Sequence, residues 1–368
     1  GQVYDSLVDY PLDSLDPQRS YQPGAWNLMR LYTRTLVTWS SEPGRTHELV
    51  PDLATDLGTP SEDGLAWTFT LREGVLFENG RAITSRDVKY GIERTFAAEA
   101  IVGGPTYVVD LLDDPANPYA GPYLDEAPDK LGLASIETPD DRTLVFRLRA
   151  PSAQLLHVLA LPSSSPVPVE ADTGGDYGID PVSSGPYAIT SVDTATGIQL
   201  DRNPQWDPAT DDVRTALPDR VVVRTGLSGV ERDQALLAGS ADVDISGSGA
   251  QPPTLARLGS EDGEGLRNRV DDVTSGVQAI NGGLGIAVTK SWGMIDNRTI
   301  SCITPVGACA GRQATTVEGL GTAETPGDVQ RAFIREQAAQ CGYCIPGMMM
   351  RAQGLLQRNQ AAGDDEIR

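Results

Sequence analysis

Chemistry in this sequence is concentrated in four cysteines, Cys302, Cys309, Cys341 and Cys344, all in the last fifth of the chain. Cys341-Gly342-Tyr343-Cys344 is a C-x-x-C loop. A helix reading over Asp328 to Gln340 precedes it, with Val329, Phe333 and Ile334 on one face, and Pro346 suits the first position of a second helix. Two thiols at this spacing beside a helix N-terminus would have depressed pKa values and suit a metal or a cluster. A bare C-x-x-C leaves zinc, a dithiol redox pair and iron–sulfur open. The two histidines offer less: His157 falls in a short apolar helix over 151–160 and His47 in a loop. Neither is paired with a serine or cysteine nucleophile, so a hydrolase triad has no support.

The remaining chain is scaffold. Trp67 to Phe96 reads as a strand in which Trp67, Phe69 and Leu71 alternate with polar residues, then a turn at Glu78-Asn79-Gly80. A helix follows, capped by Thr84 or Ser85, with Val88, Ile92 and Phe96 at four-residue spacing. Residues 4–22 read as a strand and a Pro-rich turn, and Gly24 to Trp39 as a helix running into a strand. A hairpin is expected over 134–148, a buried strand at 221–223 and a helix over Gly229 to Leu237. The aromatics of Gly24–Trp39 read as core packing, or alternatively as placing Tyr32 or Trp39 at a ligand cleft. The strand end at Asp244, Ser246 and Gly247 is a second candidate for cleft lining, because α/β folds bind ligands at strand ends.

Composition divides the chain. Its 368 residues predict two domains or more. The net charge of −22 argues against nucleic acid and anionic membrane surfaces. Residues 284–368 hold eight Lys/Arg and eight Asp/Glu, so the preceding part carries the whole charge, and cysteine is confined to the neutral part. Both shifts place a boundary near 279–284. No apolar run reaches the roughly 18 residues of a membrane span, and the start GQVYDSLVDY has no signal-peptide character. The start therefore reads as that of a mature chain, or of one whose beginning is missing.

Several stretches resemble one family. LFENGRAITSRDV, Leu49-Val50-Pro51-Asp52-Leu53-Ala54, SSGPYAI at 183–189 and IQLDRNPQW at 198–206 are similar to signatures of the family 5 extracytoplasmic solute-binding proteins, the peptide receptors of ABC importers. The resemblance covers about residues 4–278. It implies a periplasmic-binding-protein-like α/β fold with mixed sheets, incomplete here. The implied hinge lobe is 1–48 with 183–278, and the implied second lobe 49–182. It also implies a binding protein rather than an enzyme, an extracytoplasmic location, a membrane permease as partner and a peptide as ligand. The family's far lobe has no counterpart here, which predicts a half-open site of weak affinity.

The cysteine segment resembles a second family. AAQCGYCIPGM, with SCITPV and TTVEGL upstream, is similar to the small [2Fe-2S] subunit of molybdenum hydroxylases, of the xanthine dehydrogenase and isoquinoline oxidoreductase type. That implies a small, mainly helical unit over 300–368 after a junction at 279–299. It implies a cytoplasmic electron-transfer role, with the large subunit of a molybdenum hydroxylase as partner. By the same resemblance Cys341 and Cys344 are ligands of one [2Fe-2S] cluster and Cys302 the last ligand of a second. Residues 281–300 contain no cysteine, and no C-x-C follows Cys344. Both ligand sets are thus incomplete, and Cys309 is off-pattern. The join of two partial families reads as a hybrid chain, in which either activity, or neither, persists.

Overall fold

The computed structural model describes residues 3–8, 11–42, 45, 48–193, 197–246, 251, 253–254, 293–295, 299–300, 314–316 and 327–335. The chain forms two compact units, one of Gly1–Pro43 with Glu48–Leu284 and the other of Gly44–His47 with Gly285–Arg368.

The first unit is built on two sheets. One is mixed and five-stranded, in the order β11-β1-β10-β9-β8. Its strands are β1 (Val3–Leu7), β8 (Tyr187–Asp193), β9 (Gly197–Arg202), β10 (Arg220–Arg224) and β11 (Val243–Asp244). β1 runs parallel to both β10 and β11, with Leu7 opposite Arg224 on one side and Asp244 on the other. The β10, β9 and β8 pairings are antiparallel. Val221, Val223 and Leu200 are buried and alternate with less buried positions, which fixes this register. They pack on helix α1 (Pro23–Tyr32), whose Ala25, Trp26, Leu28, Met29, Leu31 and Tyr32 enter the same core. Pro23 opens α1, where its missing N–H costs nothing.

The other sheet is antiparallel, in the order β4-β5-β7-β6. Its strands are β4 (Thr59–Pro60), β5 (Ala66–Thr70), β6 (Ile136–Asp140) and β7 (Thr143–Arg147). Phe69, Leu144 and Phe146 are buried on one face, with Phe69 edge-on to Phe146 at 5.6 Å. Trp67 is only half-buried, because β5 lies one step from the sheet edge beneath the short β4. Helix α2 (Ser85–Arg94) covers this core with Val88 and Ile92. Thr84 is its N-cap and forms a reciprocal box with Asp87. Phe96 lies beyond the helix end but in the same core. At the turn before it, Gly80 alone takes a positive φ of 83°, while the Asn79 side chain accepts the Arg81 N–H at 3.0 Å. The hairpin β2 (Val37–Trp39) with β3 (Leu49–Pro51), helix α3 (Tyr107–Leu112) and helix α4 (Leu155–Leu159) complete this half. Helix α5 (Gly229–Ala238) leads into β11 from a Ser228–Glu231 capping box.

Buried ion pairs tie these elements together. Asp52, next to β3, accepts from Arg34 Nε at 2.7 Å and from Arg214 Nη2 at 2.9 Å. Arg214 also reaches Asp211 at 3.1 Å and the Arg30 carbonyl at 2.9 Å. Desolvation alone would raise the Asp211 carboxyl, but the charges of Arg214 and Arg34 outweigh it and hold it well below the usual range. A second node centres on Arg94, which pairs with Asp16 at 2.7 Å and Asp172 at 3.2 Å over the Tyr177 ring. Removing one member of such a buried pair costs on the order of 3–5 kcal/mol, because the partner charge stays buried.

In the second unit, β12 (Gly293–Ile295), β13 (Thr299–Ile300) and β14 (Ala314–Thr316) form an antiparallel sheet in the order β13-β12-β14. The sequence reading contained no such sheet. Helix α6 (Asp328–Arg335) starts at the expected residue, with Val329 buried, and the rest of the expected helix lies outside the described residues. Among the described residues, no helix is long and apolar enough to cross a membrane.

Candidate functional site

The carboxyl ends of the parallel strands β1 and β11 lie together, and the chain continues from them as Val8 and Ile245, with the Ile245 N–H bonded to the Leu7 carbonyl at 3.0 Å. Strand ends of this kind are where open α/β sheets receive ligands. Asn27 of α1 reaches the same edge, its amide donating to the Ile245 carbonyl at 2.9 Å. Its buried Oδ1 has no hydrogen-bond partner among the described residues. An unsatisfied buried acceptor is costly.

Beside Asn27 lies an aromatic shelf. Loop 13–22 folds around Asp13, which accepts from Ser14 N–H (2.8 Å), Ser20 Oγ (2.6 Å) and Tyr21 N–H (2.7 Å). The loop presents Tyr21 edge-on to Trp26, with centroids 5.5 Å apart. The Trp26 indole N–H donates to the Ser20 carbonyl at 2.9 Å. From the other half of the unit, Tyr107 at the start of α3 meets Tyr21 at 6.2 Å between centroids, with their hydroxyls in direct contact. Tyr21 remains 38% exposed. The sequence reading missed Tyr21, Asn27 and Tyr107. The glycine-rich run Gly103-Gly104-Pro105 ahead of α3 was the only local signal for Tyr107.

The expected site residues separate in space. Tyr32 closes the far end of α1, fully buried, with its hydroxyl on the Leu15 carbonyl at 2.5 Å; burial pushes that phenol well above its usual value. Trp39 lies in β2 within the other core, 5.4 Å from the His157 ring, and its indole N–H has no partner among the described residues. Burial lowers the His157 imidazole. Asp244 and Ser246 flank Ile245 at the shelf edge, but both turn toward Arg232. Asp244 Oδ2 lies 3.4 Å from the guanidinium, and Ser246 Oγ accepts from it at 3.2 Å. Gly247, Cys302, Cys341 and Cys344 lie outside the described residues. No His/Cys/Asp/Glu cluster able to hold a metal occurs among the described residues. The donor set can still be judged from the sequence. A [2Fe-2S] cluster takes four cysteine ligands, and with Cys341 and Cys344 in one set and Cys302 in another, this chain's four cysteines fall short of the eight that two clusters need.

Comparison with known proteins separates the two units. In sequence, residues 316–368 match the [2Fe-2S] binding domain. One of the subunits of nicotinate dehydrogenase from Pseudomonas putida is 54% identical over 68 residues, which are 18% of this chain and 43% of that protein. The dipeptide-binding protein DppE of Bacillus subtilis is 26% identical over 211 residues, 54% of this chain and 35% of that protein. In structure, the clavulanic acid biosynthesis oligopeptide binding protein 2 superposes with a TM-score of 0.65 and 40% identity. That match covers 75% of this chain and 48% of that structure, so the chain spans less than half the length of each of these relatives. The sequence model of the bacterial extracellular solute-binding proteins, family 5, matches residues 48–283, well over half of the chain, and the chain belongs to that family.

Proposed function

We propose that residues 1–278 act as the substrate-binding component of an ABC importer for peptides or related solutes. A membrane permease is the partner and the outer side of the cytoplasmic membrane the place of work. The observation that carries this reading is the shelf of Tyr21 and Tyr107 with Trp26, one residue before Asn27, whose amide reaches the carboxyl ends of β1 and β11. The partly exposed rings of Tyr21 and Tyr107 give a peptide apolar area at little entropic cost. Tyr107 comes from the half that carries the second sheet, and Tyr21 and Asn27 from the half that carries the first. Asp244 and Ser246 fix the strand end through Arg232, while Tyr32 and Trp39 are core residues of the two halves. The oligopeptide-binding name of the 40% identical structure agrees with a peptide ligand.

Isothermal titration of the full chain with a pool of di- to pentapeptides tests this. The shelf forms one wall of a site, so weak binding is expected, with Kd of about 0.1–1 mM. Tyr107→Ala is expected to weaken it about tenfold. Absence of binding at millimolar peptide, or an unchanged Kd in the variant, contradicts the reading.

A second reading rests on the [2Fe-2S] domain match at 316–368. On it, Cys341 and Cys344 are thiolate ligands of one [2Fe-2S] cluster and Cys302 belongs to another ligand set. The segment would pass electrons for a molybdenum hydroxylase large subunit inside the cell. The division into 1–278, a junction at 279–299 and 300–368 belongs to the same proposal, since the charge and cysteine content of the sequence change at that junction.

A further inference from the structure

A second, separate pocket lies on the half of the unit built on the antiparallel sheet. Strand β6 is the edge strand of that sheet, so among the described residues one side of its backbone has no neighbouring strand. Between β6, residues 131–134 and α2 runs an open groove of about 470 Å³. That volume falls within the range of small-molecule sites. Leu131, Leu133, Ile136 and Pro139 give it apolar walls, and Lys89 of α2 enters it.

Lys89 is an unusual residue here. The chain has 29 Lys and Arg, of which only Lys89, Lys130 and Lys290 are lysines. Lys89 is 7% exposed, and buried lysines are rare without a partner. Its ion-pair partner, Glu93 Oε1, is 3.7 Å from Nζ, beyond hydrogen-bond length. None of its three donors meets an acceptor at hydrogen-bonding distance among the described residues. Glu93 is instead engaged with the Leu133 N–H at 2.8 Å.

The surrounding carboxylates are engaged by other groups. Asp129 pairs with Arg86 at 2.9 Å and Glu137 with Arg147 at 2.5 Å. Asp125 is occupied by the Ala127 and Gly132 N–H groups, both at 2.8 Å, and its carbonyl by Lys130. Tyr119 faces Glu93 as a phenol pushed far above its usual value by burial. Burial pushes Glu93 up to about 8, against the Leu133 N–H and the Lys89 charge, so it carries a proton at neutral pH. Burial also lowers Lys89, opposed by Glu93 and Asp129. Of the charged residues that line the groove, Glu137 is paired with Arg147 and Lys89 is left with a protonated Glu93 as its nearest ion-pair partner.

We propose that this groove binds a small monoanionic carboxylate, with the carboxylate on Lys89 Nζ and its apolar part against Leu131, Leu133, Ile136 and Pro139. The site is independent of the shelf at Tyr21 and Tyr107 and of any peptide bound there.

Amine acetylation of the full chain, read by mass spectrometry, tests the proposal with N-acetyl-leucine as probe and its amide as control. Lys130 serves as the internal reference. At a saturating probe concentration, Lys89 acetylation is expected to fall at least about fivefold by mass action, with Lys130 unchanged and the amide without effect. Between pH 7 and 9 the protection is expected to fade, because ionised Glu93 then competes for Lys89. In Glu93→Gln it is expected to persist at pH 9. Equal protection by the amide, no protection, or an Lys89 that does not react without probe would each overturn the proposal.

Discussion

At the residue scale, burial shifts the charge state of a few titratable side chains, and their pH dependence follows from that. Glu93 is fully buried, and its folded-state pKa of about 8 stands above the ordinary glutamate value of 4.5. The folded chain therefore keeps a proton that the unfolded chain releases between those values. The resulting stability is fully present below about pH 4.5 and is lost as pH rises through about 8. Glu93→Gln is expected to flatten that decline, so the variant gains on the wild type from pH 6 to pH 9 in urea unfolding midpoints. An identical pH profile for the two proteins would contradict the assignment. None of this was legible in the sequence, where Lys89 and Glu93 are two charges on a helix with alternating signs. Their burial is set by residues 131–136, which pack on them from about forty positions away.

At the scale of elements the sequence was far more informative. Strand β5, the turn at Gly80, the Thr84 cap and α2 follow the alternation, turn and capping signals in order, because each is a local property of the chain. Less legible was why α2 has glycine in its middle at Gly91, where glycine costs up to about 1 kcal/mol. The structure supplies the reason: a Cβ there would lie 2.0 Å from the Ser165 carbonyl oxygen. The segment at Pro162–Ser165 crosses α2 at that point, and the Val167 N–H beyond it bonds to the Asp87 carbonyl at 3.0 Å. Gly91→Ala is expected to destabilise the fold by about 1–3 kcal/mol or more through overpacking, despite its better helix propensity. A stability equal to or above the wild type in denaturant unfolding would show that the crossing segment yields freely. The candidate site shows the same division. Its strand end at Asp244 was legible from the fold class, whereas Tyr21 and Tyr107 come from two loops whose meeting no local pattern encodes.

At the scale of the whole molecule, one chain matches two family models over different stretches. The first unit takes the fold of extracellular solute-binding proteins, and residues 316–368 match a [2Fe-2S] binding domain. The sequence shows this division because family wording, charge and cysteine content all change near residue 280. For the second unit, the number of thiolates sets a ceiling. With four cysteines in the chain, iron analysis of the purified protein is expected to give at most about two irons per chain, one cluster's worth. Four irons with matching acid-labile sulfide, retained after desalting, would show that the ligand count is wrong.

The central claim is that the first unit holds peptides on the shelf where β1 and β11 end. Photo-crosslinking of the full chain with a tripeptide bearing a benzophenone side chain, mapped by mass spectrometry, tests it most directly. Adducts are predicted at residues 21–27, at Tyr107 and at 245–246, competed by unlabelled tripeptide and reduced in Tyr107→Ala. Competable adducts that fall only elsewhere in the chain, or none at all, would contradict it.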